Sequence, residues 1–151
     1  LLNYPRHNLM KGMGQIVTWS VRDETLHVES MSRLFKEFIR ENPELWTDKL
    51  KYDIYCAAEK VVELEDHFID TCFDNAEIPD LTASDVKEYI RYIADRRLLG
   101  IGMKTIFNAR TNPLPWLDYI LNGVEHTNFF ENRATEYAKA STTGNWQDIF
   151  K

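Results

Sequence analysis

The chain has 151 residues, of which 44% are hydrophobic, so it is long and apolar enough for one globular domain with a core. The formal net charge is -6, and lysine and arginine alternate along the chain with aspartate and glutamate, which argues against direct nucleic-acid binding. No apolar run approaches the roughly 20 residues needed to span a bilayer. We therefore expect a soluble cytoplasmic protein without a membrane partner.

The spacing of apolar residues predicts three long helices and no strand, hence an all-α fold. After a short extended opening, the first helix is expected over about residues 8 to 40. A second helix is expected over roughly 46 to 74. A third, over about 83 to 100, follows a capping signal at Thr82 or Ser84.

Each of the first two helices carries a stripe of residues at helical spacing that is expected to face a core. The first stripe comprises Met13, Val17, Ser20, Glu24, His27, Met31, Leu34 and Phe38. The second comprises Leu50, Ile54, Ala57, Val61, Leu64, Phe68 and Cys72. The neighbouring charged residues Glu63, Glu65, Asp66 and His67 are expected on a solvated and second-layer face. Cys56 and Cys72 would lie about 24 Å apart in one helix, so they cannot form a disulfide.

A carboxylate and an imidazole share the first stripe, because "RDETLH" places Glu24 three residues before His27. An ionised carboxylate in a core is costly unless it is paired, hydrogen-bonded or bound to a metal. Glu-x-x-His pairs that project inward from bundle helices are a metal-binding pattern of ferritin-like dimetal proteins. The spacing by itself is weak evidence, because an isolated Glu-x-x-His in a helical protein is more often a partly exposed glutamate beside a satisfied core histidine.

Four motifs together indicate a family. "KGMGQIVTWSVRDETLH", "YIADRRL", "NPLPWLDYI" and "TNFFENRATEY", in this order, resemble the small (beta) subunit of class I ribonucleotide reductase. The resemblance covers essentially the whole chain. It implies a ferritin-like helical bundle with a dinuclear iron, or manganese/iron, site. It also implies an oxidoreductase of deoxyribonucleotide synthesis that supplies an oxidising equivalent to a large (alpha) subunit.

The resemblance also implies roles for individual residues. Glu24 and His27 match ligands of one metal ion, and Asp23 matches an aspartate that orients a metal-bound histidine and lies on the radical-transfer route. Glu131 and Tyr137 match residues that relay the radical toward the large subunit. The alternative for the tyrosine is a packing role only.

The last residues are expected to form a docking tail. The domain boundaries we expect are a helical domain over residues 1–138 and a flexible tail over 139–151. Trp146, Ile149 and Phe150 follow a polar spacer and would be the apolar anchors that bind the large subunit. Simple terminal disorder is the alternative.

The family's other metal ligands and its radical tyrosine have no counterpart in the chain, which opens on Leu1. The resemblance therefore predicts only the C-terminal half of a small subunit: a natural split subunit, a partial gene product or part of a longer chain. We expect this chain alone to bind little iron or manganese and to form homo-oligomers through the stripe of the first helix. A related dimetal oxidase and a non-catalytic helical interaction module are the alternative functions.

Overall fold

All regular structure in the part of the chain that the computed structural model describes, residues 1–118 and 120, is helical. The elements are α1 (Asn3–Arg6), α2 (Lys11–Glu41), a 3-10 turn (Pro43–Leu45), α3 (Asp48–Asn75) and α4 (Ala83–Gly100). The all-α prediction and the three long helices are confirmed. Among the described residues, no helix combines the length and the apolar character required to cross a membrane.

The predicted extended opening is wrong, because the chain forms the short helix α1 there. The backbone at Asn8 and Met10 then takes positive φ values of 62° and 47°, so the chain turns and α2 begins at Lys11 rather than near residue 8. Gly14 permits this arrangement, since a Cβ at this position would collide with the ring of Pro5. The glycine therefore allows α1 to pack against the first turns of α2.

Side-chain caps fix the starts of α3 and α4. The Thr47 hydroxyl accepts a hydrogen bond of 3.2 Å from the Leu50 backbone N–H at the start of α3. At α4, the Thr82 hydroxyl accepts from the Asp85 N–H at 3.1 Å, and the Asp85 carboxylate accepts from the Thr82 N–H at 3.2 Å. This reciprocal capping box confirms Thr82, rather than Ser84, as the N-cap.

The core lies between α3, α4 and the segment after α4. Its buried apolar side chains are Val62, Ile69, Leu98, Met103 and Leu114. The predicted stripe of α3 is therefore the wrong face for this chain, since the side chains of three of its members are 56%, 56% and 65% exposed: Val61, Leu64 and Phe68. Both faces of α3 are apolar, and α4 covers only the one that carries the buried residues.

Two ion pairs join α3 to α4. The Arg91 guanidinium donates to both carboxylate oxygens of Asp66, at 2.9 and 2.6 Å, and the Lys87 ammonium lies 2.6 Å from the Asp70 carboxylate. Asp66 is thus half-buried and pairs with a residue of the neighbouring helix. Of the solvated and second-layer face predicted for the charged residues of α3, Asp66 lies in the second layer. Cys56 and Cys72 are both free and half-buried, which confirms that they do not pair.

Candidate metal centre

Glu24 and His27 lie side by side on α2. The His27 Nδ1 and the Glu24 Oε2 are 3.5 Å apart, and the two side chains are 71% and 69% exposed. The helix brings them together because residues three apart share a face. The predicted juxtaposition is therefore present, but no described part of the chain covers it.

The large apolar residues of α2 are also exposed, among them Met13, Met31, Leu34 and Phe38 of the predicted stripe. This exposure agrees with the expectation that the chain alone leaves the stripe of the first helix uncovered. Gly14 is the one buried residue among those of α2 whose burial is described. An exposed apolar stripe of this length is typical of a surface that another polypeptide segment covers.

Asp23 precedes the pair on the same helix, and its side chain is exposed. A neighbour in sequence is displaced by about 100° around a helix. Asp23 is however four residues before His27, so His27 lies between the two carboxylates around the helix and Asp23 flanks it on the side away from Glu24. This position is compatible with an orienting carboxylate at the edge of a metal site.

The donor chemistry of the pair suits iron or manganese, because carboxylate oxygen and imidazole nitrogen are ligands for both ions. Two side chains are too few for a dimetal site, and the described residues include no group of three or more His, Cys, Asp or Glu side chains that could hold a metal ion. The residues present therefore fit one part of such a site. Further ligands would have to come from outside the described residues.

The remaining predicted site residues cannot be placed against this face. Glu131, Tyr137, Trp146, Ile149 and Phe150 lie outside the described residues, as do the boundary at residue 138 and the tail. Their roles stay predictions.

One buried carboxylate escaped the sequence interpretation. Asp95 of α4 is only 2% exposed, and its two carboxylate oxygens accept three backbone hydrogen bonds of 2.9 to 3.0 Å, from Ile106, Phe107 and Ala109. It therefore anchors the segment after α4. The signal was present in "YIADRRL", where Asp95 stands three residues before buried Leu98, as a charge on an apolar stripe.

Regular structure that is helical throughout the described residues, with a Glu-x-x-His pair on an apolar helix face, is typical of the class of ferritin-like helical proteins. Solved structures agree with this class. A ribonucleotide reductase R2 subunit from Clostridium botulinum superimposes with a TM-score of 0.75 at 26% identity, over 79% of this chain and 38% of that chain. The structure of a "putative class I ribonucleotide reductase" from Bacillus halodurans superimposes with a TM-score of 0.73 at 28% identity, over 78% of this chain and 42% of that chain.

The chain belongs to the family described as "Ribonucleotide reductase, small chain", whose model matches residues 1–113. A probable ribonucleoside-diphosphate reductase small subunit of Invertebrate iridescent virus 3 is 51% identical, over 97% of this chain and 39% of the relative. The ribonucleoside-diphosphate reductase subunit beta of Chlamydia pneumoniae is 40% identical, over 93% and 40%. The chain thus spans less than half the length of these curated relatives.

Membership has two consequences at the level of the family. The small chains are metal-dependent, and the word "small" implies a large-subunit partner and an oligomeric assembly in the family. These are properties of complete subunits.

Proposed function

We propose that this chain forms the C-terminal part of a ribonucleoside-diphosphate reductase small subunit, which acts in deoxyribonucleotide synthesis in the cytoplasm. The single observation that carries the proposal is the contact between Glu24 and His27, 3.5 Å apart on an exposed apolar helix face. Solvent-facing charged pairs usually lie on polar faces, whereas this pair lies among apolar side chains. Because the chain belongs to the small-chain family, we assign metal binding to this pair.

In this proposal Glu24 and His27 are two ligands of one metal ion, and the remaining ligands come from the upstream part of the small subunit. The same upstream part covers the apolar stripe of α2. Asp23, at the edge of the pair, orients a metal-bound histidine by accepting a hydrogen bond from its second ring nitrogen. When bound, a dinuclear iron or manganese/iron centre supplies the oxidising equivalent for ribonucleotide reduction.

Glu131 and Tyr137 serve, in the proposal, as the relay to the large subunit. A phenol suits this role because it can lose an electron and a proton together, and a nearby carboxylate can accept the proton. Trp146, Ile149 and Phe150 are the proposed anchors on the large subunit. The order of these motifs in the sequence, matching that of the family, supports both assignments.

Metal loading tests the proposal. The isolated 151-residue chain should bind substoichiometric iron or manganese and should self-associate. Coexpression with the upstream part of the small subunit of Invertebrate iridescent virus 3 should yield a soluble complex that loads metal, measured by elemental analysis. Glu24→Ala and His27→Ala should each abolish loading in that complex.

Glu37→Ala is the matched control, because it removes an α2 carboxylate whose ion pair among the described residues is with exposed Arg40. It should load metal like the unmodified complex. Two results would contradict the proposal: stoichiometric dimetal loading of the isolated chain with a radical signal, or full loading of the complex after Glu24→Ala. If loading succeeds but no large subunit is bound or activated, the related dimetal oxidase replaces the reductase.

A further inference from the structure

A cleft between α2 and α4 collects positive charge. Arg33 and Lys36 of α2 and Arg96 and Arg97 of α4 line a cavity of about 320 Å³, and we call these four residues the basic cleft. Glu29 is the one carboxylate that lines it. Such a concentration is unexpected in a chain with a formal net charge of -6.

None of the four cations of the basic cleft forms an ion pair with a carboxylate of the described residues, although the charge of Asp118 acts on Arg96. Arg33, Lys36 and Arg97 make no ion pair or hydrogen bond with other residues that the structure describes, while Arg96 donates to the Tyr92 hydroxyl at 2.7 Å. Lysine and arginine residues elsewhere on the helices do find carboxylates: Arg40, Lys49, Lys51, Lys60, Lys87 and Arg91. Lys11, Lys104 and Arg110 also lack an ion pair among the described residues, but the basic cleft is where four cations line one cavity.

Helix electrostatics explains only half of this cluster. Arg96 and Arg97 stand in the last turns of α4, where a cation is favoured by the partial negative charge of the helix end. That effect does not account for Arg33 and Lys36, which lie in the body of α2 and face the same cavity. Like charges held close together repel each other, and a bound anion would remove that cost.

The basic cleft lies on the side of α2 opposite the candidate metal centre. Arg33 follows Glu24 by nine residues, and Lys36 follows His27 by nine residues, which is about two and a half helical turns. A segment that covers the Glu24 and His27 face would therefore leave the basic cleft open. Anion binding in the basic cleft and metal binding at the Glu24 and His27 face can therefore be tested independently.

We propose that the basic cleft binds an anion with several linked phosphoryl groups. Arginine guanidinium groups bind phosphate oxygens bidentately, and three of the four cations are arginines. A second cavity of about 400 Å³ shares Arg96 and is also lined by Arg110 and Asn108. Because Arg96 lines both cavities, a group carried by the phosphoryl chain would extend toward the second cavity past this side chain.

Binding to the 151-residue chain tests the proposal, with sodium tripolyphosphate and magnesium-free ATP as probes and equilibrium dialysis as the measurement. The double variant Arg33→Gln/Lys36→Gln should bind tripolyphosphate about tenfold more weakly or worse. Lys49→Gln/Lys60→Gln is the matched control, because it removes two exposed cations that already have carboxylate partners. The control should bind like the unmodified chain.

The two probes distinguish the source of the phosphoryl groups. Equal affinities would identify the phosphoryl chain alone as the ligand. Tighter ATP binding, reduced selectively by Arg110→Gln, would identify a nucleotide that also occupies the second cavity. Helical content measured by circular dichroism checks that each variant is folded, and Arg97→Gln replaces the double variant if that variant unfolds.

Three results would overturn the proposal. The first is no tripolyphosphate binding by the unmodified chain at about 1 mM ligand in low salt. The second is equal weakening by the cleft variant and by the control, which would mean diffuse electrostatic attraction. The third is tighter binding of a hexaglutamate peptide than of tripolyphosphate, which would make an acidic protein segment the occupant.

Discussion

The apolar side chains between α3 and α4 are buried within this chain, whereas most of those along α2 are exposed. The pair buries Val62 and Ile69 of α3 and Leu98 of α4, and ion pairs close its edges. The longer helix α2 buries only Gly14 among the residues whose burial is described, and its apolar stripe is exposed. The α3–α4 pair is therefore a packed unit, and the apolar face of α2 is accessible for another segment to cover.

The contrast shows that apolar periodicity marks a face that will be covered without saying what covers it. In α3–α4 the cover is within the chain. In α2 the stripe carries Glu24 and His27, and the covering segment is not among the described residues. If this contrast is real, substitutions in the α3–α4 region should reduce stability strongly, and three such substitutions rank by expected effect.

The largest effect is expected from Asp95→Ala. The change leaves three part-buried backbone N–H groups without their acceptor, so the free energy of unfolding should fall by about 3–5 kcal/mol. Urea unfolding followed by circular dichroism measures it. Asp74→Ala, an exposed carboxylate of α3, is the control and should change stability by about 0.5 kcal/mol or less. Equal effects would mean that Asp95 does not anchor the segment after α4.

Ile69→Ala should follow, and its neighbour Phe68→Ala provides the sharpest comparison on one helix. Ile69 is 5% exposed and packs in the core, so its truncation should cost about 2–4 kcal/mol. Phe68 is 65% exposed, so removing its larger side chain should cost about 1 kcal/mol or less. The same unfolding measurement applies. A larger loss at Phe68 would restore the face predicted from the sequence.

Asp66→Asn should have the smallest effect of the three, about 1.5–3 kcal/mol near neutral pH, because it weakens a charge-assisted bidentate pair with Arg91. Glu63→Gln, which breaks only an exposed pair with Lys60, is the control and should change little. Comparable losses in the two variants would mean that the interhelical pair contributes no more than a surface pair.

The pH dependence sharpens that comparison. The hydrogen bonds from Arg91, opposed by partial burial, lower the pKa of Asp66 below its usual 3.8. Its stabilisation is therefore complete above that pH and is lost as the pH falls through the lowered folded-state value. Unfolding measured from about pH 7 to about pH 2.5 should show the stability gap between the unmodified chain and Asp66→Asn close only at the acid end. A gap that stays open there would point to packing rather than charge.

Local features were predictable because they depend on neighbours in sequence. Apolar spacing located α2, α3 and α4, and the capping box at Thr82 depends on Asp85 three residues later. The approach of Glu24 to His27 follows from helix geometry alone. The four ordered motifs indicated the family, which the comparisons confirm.

By itself, then, the sequence determined the helices, their caps, the Glu24–His27 pair and the family. Only the tertiary structure decided that Ile69 rather than Phe68 is core, that Asp95 accepts three backbone hydrogen bonds, and that interleaved cations of α2 and α4 meet in one cleft. The physical reason is the separation along the sequence over which each interaction acts. Helix geometry acts over three or four residues, whereas the choice among apolar faces and the summation of charges depend on how helices distant in sequence pack.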